Sequence, residues 1–338
     1  MTKRTHEEID DGGNKYFEAA MKAARALGNV DFSDEAKKAA AEVQKTLRED
    51  GVIAAPTNAL RIGTSHSETF AVDGPKVHAT IINSKSGETV SVLGSASLES
   101  DFALSVALSP DTSVAAVGYG NGVRLWKIAS GEMLHELDAE NHVDCIEFGR
   151  DGQRVFAGSH DGCVRVWSTR TGKLRHELFD RNCPVTCIAV LPDGKKVLAG
   201  FEDGSIMSAR VHGDATVTFE QRVCTGDRVT GLIAFPDGTT YAGTHANGTL
   251  FIWTRHSFYK KTFQLGITSL SVSSDGAILC LTGPDGAWLV ETSMWDCEPI
   301  HIGMLKHALS AKFVHGTQNL IVLYSEGVIR VYNDVLAC

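Results

Sequence analysis

The sequence predicts an all-β protein, a seven-bladed β-propeller with a short N-terminal α-helical extension. Three observations carry this. From Val52 onward the chain is a succession of short β-rich runs broken by Gly, Asp and Pro. These runs recur as a unit: with Trp167 as marker, the equivalent positions are Ile82, Trp126, Ala209, Trp253, Glu291 and Tyr332, separated by 38 to 44 residues. Before them, residues 1–50 are rich in Ala, Lys and Glu and hold no β-rich run. Three or four short strands cannot bury their faces alone, so such units must stack, and a period of about 40–45 residues with four strands per unit is the mark of radial repetition.

The N-terminal part reads as two helices. Phe17, Ala20, Ala24 and Leu27 make one apolar stripe, stopped by Gly28-Asn29. Ser33 or Asp34 caps the second, whose stripe is Ala36, Ala40, Val43 and Leu47 before Gly51. Both stripes are narrow and alanine-heavy, so the pair is expected to lie on the neighbouring domain or on a partner. The chain thus divides into 1–50, a helical extension, and 51–338, the propeller. The seventh unit reaches only its third strand before Asp334–Cys338, and the run Gly-Val-Ile-Ala-Ala-Pro at 51–56 is expected to supply the missing outer strand, since an unsealed edge invites aggregation.

The clearest unit is Asn141 to Lys173. Ile146 and Phe148 alternate with polar neighbours, Asp151-Gly152 turns the chain, Val155 to Ala157 runs to the turn Asp161-Gly162, and Val164, Val166 and Trp167 lead to Thr171-Gly172. Ile146 has counterparts in Ile62, Val106, Ile188, Ile233, Leu270 and Ala311, and the following turn recurs at Pro110-Asp111, Asp193-Gly194, Asp237-Gly238, Asp275-Gly276 and His315-Gly316. Cys145 and Cys187 share one repeat position, where other units carry Leu232, Ser269 and Ser310, and read as small core fillers. The eight cysteines show no zinc spacing, so no metal, disulfide or other cofactor is expected.

Residues 55–335 resemble WD repeats, most clearly in the runs NGVRLW, DGCVRVW and NGTLFIW with their SGE and TGK turns. The order of helices followed by a seven-unit ring also resembles the heterotrimeric G-protein β subunit, in architecture only. The WD resemblance implies a structural hydrogen-bond string of histidine, serine, aspartate and tryptophan, which one unit matches in full at His142, Ser159, Asp161 and Trp167. It also implies partner contacts on the face formed by the second-to-third strand turns and inter-blade loops. Carried onto this chain, those positions are Tyr119, Asp144, His160, Thr186, Glu202, Arg228, Ala246 and Ser325. Trp295, beside Met294 in an inter-strand turn, is a further binding candidate.

Catalysis is not expected. His, Ser and Asp of the third unit lack a nucleophile elbow and oxyanion site, and Gly118-Tyr119-Gly120-Asn121-Gly122 sits between strands and opens no helix, so it reads as a turn and not a phosphate loop. No small-molecule substrate is expected. A net charge of −9 argues against wholesale nucleic-acid coating, yet residues 150–181 are locally basic, with Arg165, Arg170, Lys173 and Arg175 as a candidate sector for an acidic partner or RNA phosphates. No run of about 18 apolar residues and no signal-peptide pattern are present, so membrane insertion is not expected and a cytoplasmic or nuclear location is. The expected function is a non-catalytic WD-repeat scaffold that docks proteins as a subunit of a larger assembly. The alternatives are a G-protein-β-like signalling subunit and an RNA-associated factor in ribosome assembly or RNA processing.

Overall fold

The computed structural model describes residues 49–54, 62–64, 69–74, 78–83, 89–93, 103–212, 216–224, 227–254, 257–263, 266–293, 299–302, 307–314, 319–325, 328–332 and 335. The expected N-terminal helices and the Met294–Trp295 turn lie outside these residues. Every regular element among the described residues is a β-strand, and the strands form seven four-stranded antiparallel sheets.

The chain enters with β1 (Glu49–Ala54) and then builds its sheets in order. The first holds β2 (Ile62–Thr64), β3 (Thr69–Gly74), β4 (His78–Asn83) and β5 (Thr89–Leu93). In the second are β6 (Ser105–Leu108), β7 (Val114–Tyr119), β8 (Gly122–Lys127) and β9 (Glu132–Asp138). The third comprises β10 (Val143–Phe148), β11 (Arg154–Ser159), β12 (Val164–Ser168) and β13 (Leu174–Leu178), and the fourth β14 (Val185–Val190), β15 (Lys196–Phe201), β16 (Ser205–His212) and β17 (Thr216–Cys224). The fifth is β18 (Val229–Ala234), β19 (Tyr241–His245), β20 (Thr249–Trp253) and β21 (Phe258–Thr262). The sixth is β22 (Ser269–Val272), β23 (Ile278–Gly283), β24 (Gly286–Glu291) and β25 (Ile300–Ile302). The last joins β26 (Ala308–Phe313), β27 (Leu320–Tyr324) and β28 (Val328–Tyr332) to β1, which lies outermost.

The sealing strand therefore comes from the N-terminal side, as its sequence position suggests, but two residues earlier than 51–56. It runs antiparallel to β28 with Ile53 opposite Ile329 and a bulge between Glu49 and Gly51. First strands touch in cyclic order, β2 to β6, β10, β14, β18, β22, β26 and back to β2.

The core lies in the seams between neighbouring sheets. Val114, Ala116, Val123 and Leu125 of the second sheet pack with Val143, Phe148, Val155 and Trp167 of the third, and Val164, Val166 and Leu178 of the third pack with Val190, Val197, Ala199 and Phe201 of the fourth. Second strands covered on both faces are mostly apolar without alternation, and β7, β15 and β23 are buried at every residue. Outer strands β9, β13 and β21 are mostly exposed.

The first-to-second strand turns explain the Asp-Gly signal. Gly152 N–H donates to Gly149 O at 2.8 Å while Asp151 Oδ1 accepts the Gln153 N–H at 3.0 Å. The same pair of bonds recurs with Gly194 and Asp193, Gly238 and Asp237, and Gly276 and Asp275. These glycines have φ between +62° and +77°, the left-handed region that side chains avoid. In the second sheet the turn position is filled by Thr112, at φ +57°.

Candidate functional site

The rim at the second-to-third strand turns is built by one backbone rule. His160 N–H donates to His142 O at 2.9 Å, Glu202 N–H to Pro184 O at 3.0 Å, Ala246 N–H to Arg228 O at 2.9 Å and Ser325 N–H to His307 O at 3.0 Å. Each bond ties a hairpin turn to the loop entering its own sheet, so four of the sequence-selected positions are structurally equivalent. His160, Glu202, Arg228, Ala246 and Ser325 are exposed on it. Asp144 is half-buried and its Oδ2 lies 2.6 Å from His160 Nε2. The His142 and His160 rings are 5.7 Å apart.

Two of the eight selected residues do not face outward. Tyr119 is 2% exposed and its hydroxyl donates to Glu136 at 2.8 Å. Burial, followed by that bond, pushes the phenol well above its usual range, while the bonds from Tyr119 and then Arg124 hold Glu136 below the usual carboxylate range. Thr186 is 4% exposed, and its Oγ1 reaches Gly200 O at 3.1 Å and Val229 O at 2.6 Å, the latter across the seam to the fifth sheet. Both support the rim from beneath. Thr186 stands at a bulge between Val185 and Cys187, repeated between Val143 and Cys145, Val229 and Gly231, and Ala308 and Ser310. At the same place in the third sheet Asp144 reaches the rim, so the side chain as well as the bulge sets the direction.

Behind the rim the expected string of His142, Ser159, Asp161 and Trp167 is only partly brought together. Asp161 N–H lies 3.5 Å from Ser159 Oγ, and Ser159 Oγ donates to Ala139 O at 3.4 Å. Trp167 is buried. The His142 ring is exposed, and among the described residues no hydrogen bond joins it to Ser159 or Asp161. The centre of the network is Arg165, which sequence reasoning assigned to a solvent-facing basic sector. It is 4% exposed. Its Nη1 donates to Asp161 Oδ2 at 2.5 Å and Ala139 O at 3.0 Å, its Nε to Glu177 at 2.8 Å, and its Nη2 lies 3.7 Å from Glu140. Burial works against the charge, but the bonds to Asp161 and Glu177 outweigh it and hold the guanidinium more firmly protonated than usual. Arg165 thus spans the inter-sheet linker, its own hairpin turn and its own outer strand.

Neighbouring sheets use the same device. Arg124 bonds Glu136 at 2.9 Å and stacks 4.1 Å from the Tyr119 ring centre. At the fourth sheet the residue matching Arg165 is Met207, and Arg181 from the preceding loop fills the place, donating to Ser205 at 2.9 Å and Asp203 at 2.9 Å. The repeated VR(L/V)W strings held a signal for these arginines, because an arginine on a strand buried on both faces must find carboxylates. Arg170, Lys173 and Arg175 are exposed, as expected of a basic sector.

Inside the ring of first strands is a cavity of about 360 Å³. At the repeat level following Ile146 its wall carries Ala107, Glu147, Ala189, Ala234, Ser271 and Lys312. Glu147 accepts the Val190 N–H at 2.9 Å across the seam, as Ser271 accepts that of Phe313 at 3.0 Å. Burial pushes the Glu147 carboxyl up to about 7, against the Val190 N–H and the Lys312 charge. Among the described residues no group of three or more His, Cys, Asp or Glu is placed to hold a metal, and there is no helix long and apolar enough to cross a membrane.

Comparison with known proteins agrees with this geometry. The family model "WD domain, G-beta repeat" matches residues 131–168 and 172–207. Each match begins with the outer strand of one sheet or the turn before it and ends in the third strand of the next, so the sequence repeat straddles the sheet boundary. The chain is 24% identical over 194 residues to "Target of rapamycin complex subunit LST8" of Bos taurus, covering 55% of this chain and 58% of that protein. It is 30% identical over 84 residues to "Meiotic fizzy-related protein 1" of Schizosaccharomyces pombe, 24% of this chain and 20% of that one. With "Autophagy-related protein 16" of Arabidopsis thaliana it shares 29% identity over 77 residues, 23% of this chain and 15% of the relative. The chain thus spans under two thirds of the length of these relatives.

Proposed function

We propose that this WD-repeat chain is a non-catalytic, seven-bladed β-propeller scaffold that docks partner proteins as a subunit of a larger assembly. The observation that carries the reading is the repeated rim: in four sheets one backbone bond holds a turn residue in the same outward place, and the chemistry displayed there is different each time. Histidine, glutamate, alanine and serine at equivalent positions suit recognition of a varied protein surface better than a repeated ligand. The seven sheets with cyclic neighbours, sealed by β1, support a closed ring. The similarity to a relative whose name describes a complex subunit supports the subunit role. Residues 1–48, which precede β1, are proposed as a second, helical contact.

The test is affinity purification of the tagged full chain beside the variant Glu202→Lys/Arg228→Glu. The reading expects co-purifying proteins with the native chain, at least one of them lost from the variant while its thermal midpoint stays unchanged. A chain that recovers no protein partner, or a variant that keeps every one, overturns it.

A further inference from the structure

From the outer strands of the second and third sheets we infer a docking surface for an acidic, apolar segment of a partner protein. This deepens the scaffold reading and rests on it. Five large apolar residues are exposed among the described residues, and three of them stand here: Met133 at 45%, Leu134 at 36% and Leu174 at 47%. Met133 and Leu174 occupy the same repeat position, opposite the buried Trp126 and Trp167. β9 is joined to the turn that leads into β13. His135 of β9 reaches across to the next sheet, its Nε2 3.1 Å from Arg170 O, and its ring packs so closely on Gly172 that a Cβ there would stand 2.9 Å from the imidazole Cγ.

Charge on this surface is uneven for a structural reason. Two acids of the strands, Glu136 and Glu177, are bonded to Arg124 and Arg165. Glu132, opposite Lys127 in the ladder, and Asp138 stay exposed on β9, so the excess of cations lies on the side of the turn before β13. Arg170 and Lys173 are exposed, and among the described residues neither has an ion pair. The result is an apolar patch flanked by cations inside a chain of net charge −9. A segment with leucine or phenylalanine between aspartates or glutamates complements both features at once. β13 is also the last strand of its sheet, so its open edge can pair with an extended main chain. Single-stranded RNA fits less well, because methionine and leucine offer no flat ring on which bases stack.

The probe is a fluorescein-labelled synthetic peptide alternating Asp with Leu and Phe, titrated against the full chain by anisotropy. A peptide with Ser replacing Leu and Phe, and a single-stranded RNA, serve as comparison probes. Methyl-13C methionine spectra report on Met133. The acidic apolar peptide is expected to bind and to shift the Met133 methyl, and Leu174→Ser and Arg170→Glu/Lys173→Glu are each expected to weaken it about tenfold or more. Both variants alter exposed side chains, and an unchanged thermal midpoint verifies the fold. Absence of binding, equal affinity in all variants, equal binding of the Ser peptide, or tighter RNA binding that ignores Leu174→Ser overturns the inference. Partner proteins that are lost on Glu202→Lys/Arg228→Glu and retained on Arg170→Glu/Lys173→Glu would leave the scaffold reading standing and remove this surface.

Discussion

Removing the guanidinium of Arg165 takes a charged donor from Asp161, Glu177 and the Ala139 carbonyl in one step. Arg165→Met is expected to cost about 3 kcal/mol in urea unfolding, because Asp161 is largely enclosed, whereas Glu177→Gln is expected to cost under about 1 kcal/mol, since that carboxylate is half in water. Glu147 gives a pH dependence of definite sign. Its folded carboxyl titrates near 7, above its ordinary value of 4.5, so the folded state holds the proton more tightly than the unfolded chain does. Its contribution is therefore fully present below about pH 4.5 and is lost as pH rises through 7. Glu147→Gln is expected to flatten the stability profile in that window and to be the more stable form at pH 8, by on the order of 2 kcal/mol, in denaturant titrations at several pH values. The Glu147 role could not be read from the sequence. That of Arg165 was half legible, because the VR(L/V)W strings place an arginine on a strand covered on both sides, while the carboxylates it meets are set by the fold.

Among the elements, the turns are where sequence and structure agree most closely, and the reason is chemical. An aspartate that accepts the N–H two residues on, followed by a glycine in the left-handed region, specifies the turn without help from the rest of the fold. Thr112 breaks that rule. A β-branched residue at φ +57° is strained, so Thr112→Gly is expected to raise the thermal midpoint, a gain of about 1 kcal/mol, whereas Gly152→Thr is expected to lower it by at least as much. Gly162 is a stricter case. It combines φ +87° with an Arg181 carbonyl lying where a Cβ would go, so Gly162→Ala should displace the loop joining the third and fourth sheets. Gly131, at φ +66° with open space around it, should tolerate alanine at a cost of about 1 kcal/mol. Comparing the two substitutions by thermal melting separates close packing from backbone strain. Bulges were not legible, because they add a residue without changing composition. Thr186 and Asp144 stand at equivalent bulges yet one enters the seam and the other meets the rim, while Glu202, His160 and Ser325, placed by turns, emerged where the repeat put them.

For the molecule as a whole, the decisive pairing is β1 with β28. Deleting residues 1–48 leaves this ladder intact and is expected to leave the thermal midpoint within about 2 °C of the native chain. Deleting 1–54 removes it, uncovers the edge of Val328–Tyr332, and is expected to lower the midpoint by about 5–10 °C and to produce oligomers by light scattering. Equal behaviour of the two truncations would show that the seventh sheet does not depend on its fourth strand. This pairing also sets a clock on biosynthesis. β1 leaves the ribosome roughly 270 residues before its partner, which at cellular elongation rates is a wait of roughly 14–55 s. Throughout that interval the middle sheets can assemble on one another while the first strand has no mate. The nascent chain therefore carries an adhesive strand until β28 is made, and shielding that strand is a demand on the cell that the finished ring no longer makes.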